Sequence, residues 1–174
     1  MSTKNLTREE ARRRSEIITV ERYHVRIDVR GADADGATHF TSSTRVRFST
    51  KEPDTFLDLL DGEIESVIVN DEEVEPEYDG SRIQLHGLHT HRKNLVVVTA
   101  KLPYQHTGQG LHRFVDPADG KVYLYTHFEA ADSRRMYTVF EQPDLKAHVD
   151  FDVLAPQGWR VISNQVHEDT REEE

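Results

Sequence analysis

His127 and Glu129 stand two residues apart in Tyr123-Leu124-Tyr125-Thr126-His127-Phe128-Glu129, and on an extended strand that spacing puts both side chains on one face. The imidazole would bring pH dependence near neutrality. The carboxylate could grip a cationic group through a charge-assisted hydrogen bond. From the residues alone several readings stand open. Glu129 could be a surface glutamate or pair with Arg134 or Arg135, and His127 could face solvent. The two together could even serve a complete small metallohydrolase, which would carry stoichiometric zinc. Just downstream, Asp132, Arg134, Arg135 and Glu141 form a charged set around an expected helical turn. They either contact substrate or form an ion-pair network that locks the turn beneath Glu129. The network is the preferred reading, because the arginine fork suits such locking. Phe140 and Pro143 belong with that scaffold.

Two other clusters invite chemistry and are read as structural. His86, His89 and His91 match no metal-site spacing, and Gly87 between them suggests a loop. Gly108 and Gly110 lack the G-x-x-x-x-G-K-[ST] continuation of a phosphate loop, so they are expected to be turn glycines. No H-E-x-x-H occurs. A catalytic zinc needs three protein ligands with an open position, and no recognisable spacing provides them, so no metal ligands are assigned.

The elements that position these residues are expected to be mostly strands. Leu6 to Ile17 reads as a helix, with Thr7 as its cap and Glu9 and Glu10 in the first turn. From Tyr23 to Val29 apolar and polar residues alternate, as on a strand buried on one face. Gly31 to Gly36 supplies a turn, and Thr38 to Thr50 the return strand. Further strand candidates are Thr55 to Leu60, Ile64 to Asn70, Arg82 to Leu85 and Leu95 to Leu102, with Asp79-Gly80 as a tight-turn signal. Between Gly108 and Lys146 the periodicity breaks down, and irregular sequence on a β scaffold is where functional groups tend to sit. Trp159 and the other aromatics are expected in the core.

A chain of 174 residues fits one domain with a real core. Its 22 basic and 32 acidic residues leave a formal charge of -10, which repels phosphate and argues against a nucleic-acid partner. Arg12-Arg13-Arg14 is flanked by Glu9, Glu10 and Glu16. Cysteine is absent, which rules out disulfides and thiolate metal sites. No window approaches a membrane span, and Met1-Ser2-Thr3-Lys4-Asn5 lacks the apolar stretch of a secretory signal. The expectation is a cytoplasmic protein with no membrane partner.

Four motifs in order carry a resemblance. They are Thr107-Gly108-Gln109-Gly110-Leu111-His112-Arg113-Phe114-Val115-Asp116-Pro117, the Tyr123 to Glu129 run, Asp132-Ser133-Arg134-Arg135, and Phe140-Glu141-Gln142-Pro143-Asp144-Leu145-Lys146. Together they resemble the N-terminal domain of the aminopeptidase N family, in its actinobacterial form. Leu6 to Ala11 and Gly158 to Asn164 fit the same pattern, so the resemblance covers nearly the whole chain.

The resemblance implies a mainly β, antiparallel, saddle-shaped sandwich domain with a short N-terminal helix and a helical turn near 131–139. Residues 1–17 would be the helical segment, 18–165 the β-domain, cut short at its C-terminal end, and 166–174 an acidic disordered tail. Zinc, the exopeptidase loop and the H-E-x-x-H motif would reside in a catalytic domain of the same polypeptide. This chain alone would then hold no cofactor and be inactive. Glu129 would anchor the free α-amine of a peptide substrate. His127, where the family more often has glutamine, would line the same pocket. The competing class is a stand-alone β-sandwich module that binds protein or glycan.

Overall fold

The computed structural model describes residues 5–166. The first four residues of the expected helical segment, and all of the expected acidic tail except Val166, lie outside them.

Helix α1 (Arg8–Ile17) starts where the sequence signals it. The Glu10 N–H donates to Thr7 Oγ1 at 3.2 Å, and the Thr7 N–H donates to Glu10 Oε2 at 2.8 Å. This reciprocal cap satisfies two donors that an open helix end would leave unpaired. At Ile18 the backbone turns extended, and the chain runs directly into β1 (Ile18–Asp28). There follow β2 (His39–Thr50), β3 (Thr55–Asp58), β4 (Glu63–Val69), β5 (Glu72–Val74), β6 (Glu77–Tyr78), β7 (Arg82–Leu85) and β8 (Asn94–Pro103). The later elements are β9 (Gly110–Val115), β10 (Val122–His127), a single helical turn at Ser133–Arg135, and β11 (His148–Leu154).

The strands form a six-stranded sheet in the order β11-β1-β2-β8-β4-β5, a three-stranded sheet β3-β7-β6 and the hairpin β9-β10. The result is a mainly β, sandwich-like domain with open sheets, as expected. All pairings in the sheets are antiparallel except β11 with β1, which is parallel. Hairpin patterning along the chain cannot register that pair, because its members are separated by most of the sequence.

One core joins the sheets. Val25, Ile27, Val46, Phe48, Val96, Val98 and Leu102 of the large sheet share it with Leu57, Leu59, Ile83 and Leu85. Burying each of these side chains contributes about 1.5–3 kcal/mol. In β1 the buried positions run Ile18, Val20, then Tyr23, Val25, Ile27. The pairing with β2 shifts register between Val20 and Arg22. One extra residue there lets both halves of the strand face the core, since a one-residue slip otherwise moves a strand's side chains to the opposite face.

Two expectations change in the irregular region. Its first part is regular after all, since Gly110–Val115 and Val122–His127 pair as a hairpin. The helical turn expected near 131–139 contracts to Ser133–Arg135. The backbone then returns to β3: Asp58 and Val139 exchange hydrogen bonds at 2.7 and 3.0 Å.

Candidate functional site

The β9-β10 hairpin aligns Phe114 with Tyr123, His112 with Tyr125 and Gly110 with His127. Opposed residues share a face, so an aromatic ladder runs along one side of the hairpin and ends at His127. Phe114, Tyr123 and Tyr125 are exposed, at 45%, 47% and 50%. His127 is the last residue of β10. Glu129 therefore lies past the strand, and the shared strand face expected for the two does not extend to it. Both side chains are exposed. The Glu129–Ala130 peptide is cis. Phe128 between them is half-buried, its ring edge-on to Tyr137 at 6.0 Å.

Just after Glu129 in the chain the expected charged set assembles around the helical turn, though not as a simple ion-pair network. Asp132 and Arg134 are buried. Arg135 Nε donates to Asp132 Oδ1 at 2.7 Å, and Arg135 Nη1 reaches Asp61 Oδ2 at 3.4 Å. Arg134 Nε donates to the Ala131 carbonyl at 2.9 Å and Nη2 to Asn5 Oδ1 at 2.8 Å. The two cations that the sequence offered to Glu129 are thus engaged elsewhere. Glu141 binds the turn from below, accepting from the Ser133 hydroxyl and from the Arg134 N–H at 2.8 Å. Burial pushes the Glu141 carboxyl above its ordinary range, and these two hydrogen bonds only partly oppose the rise. The Arg134 carbonyl accepts from the Leu60 N–H at 2.8 Å, which fixes the turn to the segment after β3.

A second layer, which the sequence reading did not assign, supports this turn. Arg14 of α1 pairs with Asp58 of β3 in the interior, and its guanidinium lies over the rings of Phe56 and Phe140. Gln142 Nε2 donates to the Ala11 carbonyl and to Ser15 Oγ at 2.8 and 2.7 Å. A lone arginine one turn before Ile17, on the helix face that meets the sheet, was the available signal. It stood inside the Arg12-Arg13-Arg14 run, which had been weighed only against a nucleic-acid partner.

The histidines of the 86–91 stretch do not converge. His86 is held between Asp54, at 2.9 Å, and Glu77, at 3.6 Å, and the Asp54 hydrogen bond raises its pKa. His89 instead meets Asn70 and Arg92. Among the described residues no three His, Asp or Glu side chains come together as a metal site. No described helix is long and apolar enough to cross a membrane. Gly108 adopts φ of +84° in the bend before β9, the turn role expected of it, whereas Gly110, at φ +58°, is the first residue of β9 and not a turn residue.

The family model for the peptidase M1 N-terminal domain matches residues 21–174, and the chain belongs to that family. It is 46% identical over 164 residues to the Aminopeptidase N of Streptomyces lividans, covering 92% of this chain and 19% of that protein. A probable aminopeptidase 1 of Saccharolobus solfataricus is 26% identical over 150 residues, covering 83% of this chain and 17% of its own length. Among solved structures, Legionella pneumophila aminopeptidase A in complex with aspartic acid superposes with a TM-score of 0.65 at 15% identity, over 78% of this chain and 16% of that one. The M1 zinc metallopeptidase of Deinococcus radiodurans does so at 0.60 and 13%, over 81% and 33%. At these identities the superpositions establish the fold. The chain spans less than a fifth of the length of the curated relatives it matches.

Proposed function

We propose that this chain is the non-catalytic N-terminal domain of a zinc-dependent aminopeptidase that removes N-terminal residues from peptides. In this reading it supplies one wall of the active site. The zinc, its ligands and the water-activating chemistry belong to a catalytic domain of the same polypeptide, of which this chain is one part. Glu129 anchors the substrate's free α-amine, with His127 beside it.

The observation that carries the reading is the arrangement around Glu129. Its carboxylate is exposed at the end of a hairpin, on a turn fastened from below by Glu141, while Arg134 and Arg135 are bound to other partners. An ammonium is the cation such a carboxylate can receive through a charge-assisted hydrogen bond, strengthened once a second domain excludes water. The net charge of -10 favours a cationic terminus over nucleic acid. The proposed compartment is the cytoplasm.

The test is a hybrid in which this chain replaces the matching segment of the Streptomyces lividans Aminopeptidase N. The hybrid is expected to cleave peptides with a free N-terminus and to leave N-acetylated ones intact. A folded hybrid with no such activity, alongside capture of glycan or protein by the isolated chain, would replace this reading with that of a binding module.

A further inference from the structure

The segment between β8 and β9 is fastened at two levels. Through the backbone, the Gln105 N–H donates to the Leu111 carbonyl and the Arg113 N–H to the Gln105 carbonyl, both at 2.9 Å. Through a side chain, the Gly108 N–H donates to Nδ1 of His112 at 2.9 Å. A ring nitrogen that accepts a hydrogen bond carries no proton, so the imidazole is neutral with its proton on Nε2. His112 is only 9% exposed. Its ring lies against that of Tyr125, 4.6 Å away and 25° from parallel.

The segment that this side chain holds leads to the end of the hairpin that precedes Glu129. The segment leads into Gly110, which pairs with His127 across the hairpin. Gly110 also packs so closely on the helical turn that an added Cβ would stand 2.6 Å from Arg135 Cβ. We propose that His112, in its neutral Nε2–H form, is a positioning residue for this site. It fixes Thr107–Gln109 and, through them, the Gly110–His127 end of the hairpin from which Glu129 projects. The proposal rests on the reading of Glu129 given above.

The titratable and charged groups around His112 come from several elements. Tyr125 of β10 is stacked on it, and His106 of the segment stands edge-on at 6.2 Å. His127 of β10 lies one pair further along the same face, and Arg135 lies beyond Gly110. Arg113 of β9 turns away to the Ala32 and Ala34 carbonyls.

Ring-nitrogen NMR and amide exchange on the 174-residue chain test the latch. The expected result is an unprotonated Nδ1 and a protonated Nε2. His112→Phe should speed exchange of the Gly108 amide by roughly fivefold or more, the scale of one lost hydrogen bond, without affecting that of Gln105. His112→Asn, whose Oδ1 can accept in place of Nδ1, should keep the Gly108 amide protected. An Nδ1–H tautomer, or equal Gly108 exchange in the wild type and His112→Phe, would overturn the latch. If the phenylalanine variant does not fold, equal Gly108 exchange in the wild type and His112→Ala overturns it instead. In the hybrid enzyme, His112→Phe should raise KM more than it lowers kcat, with His112→Asn restoring KM. An unchanged KM, while Glu129→Ala is impaired, removes the positioning role. An intact latch with no effect of Glu129→Ala sinks the reading of Glu129 and spares the latch.

Discussion

Arg14 donates from both Nη1 and Nη2 to a single oxygen, Oδ2 of Asp58, at 3.0 and 3.1 Å, and the two side chains are 3% and 2% exposed. The same oxygen accepts the Glu141 N–H at 3.1 Å. One buried carboxylate thus joins α1, β3 and the strip that carries Glu141 up to the turn that follows Glu129. The N-terminal helix is therefore part of the platform of the site and not an appendage to the β-domain.

Removing the carboxylate strands the guanidinium in the interior. Asp58→Ala is expected to cost about 3–5 kcal/mol of stability, the range for breaking a buried pair on one side, as read by denaturant unfolding. The double variant Asp58→Ala with Arg14→Met should lose less than the two single losses added together, because no orphaned charge remains. Additive losses would mean that the pair is not coupled.

Glu10 ties the start of α1 to β7. Its carboxylate accepts from Arg82 Nη1 at 2.6 Å, and that hydrogen bond is the main reason its pKa falls from 4.5 to about 2. A depressed carboxyl stabilises the fold above its unfolded pKa, and the contribution fades as pH falls through the folded one. The stability gap between wild type and Glu10→Gln should therefore be widest near neutrality and close between about 4.5 and about 2. Thermal melts across that range check it, and a gap that is constant with pH contradicts it.

Glu141 behaves in the opposite sense. Its carboxyl is held above the ordinary range by burial, so ionising it costs stability as pH rises. Glu141→Gln, which keeps an acceptor for Ser133 and Arg134, should match or exceed wild-type stability at neutral pH and lose that advantage in acid. Glu141→Ala should instead cost about 1–3 kcal/mol, because it leaves a hydroxyl and an N–H unsatisfied. Unfolding curves for the two variants at two pH values decide it.

The parts legible in the sequence were those with a local signature. Thr7 and Glu10 announced the helix cap, the alternation from Tyr23 to Val29 announced β1, and Asp79-Gly80 announced the turn between β6 and β7, where Gly80 has φ +90°. The parallel neighbour of β1 was not legible, because Tyr23 meets Val149 only through the fold. In the site, Asp132, Arg134, Arg135 and Glu141 were found as a group from their crowding. Their partners were not, since Asn5, Asp61 and Ser133 are chosen by the fold and carry no spacing signal. A strand was assumed at His127 only to relate it to Glu129, and Tyr123 to His127 was missing from the strand candidates, because both of its faces carry large side chains, which masks a period of two. His112 stood inside the quoted motif without a role, because the backbone N–H that it accepts from leaves no trace in side-chain chemistry.

The measurement that bears most directly on the central claim is steady-state hydrolysis by the hybrid enzyme carrying Glu129→Ala, with His127→Gln alongside. Loss of one charge-assisted hydrogen bond to the substrate amine is worth about 1.5–3 kcal/mol, so kcat/KM for free-amine peptides should fall about tenfold to a hundredfold, with KM raised. His127→Gln should retain activity, since the glutamine amide keeps a polar side chain beside Glu129. Wild-type kinetics in a folded Glu129→Ala hybrid would contradict the account and remove Glu129 from the site.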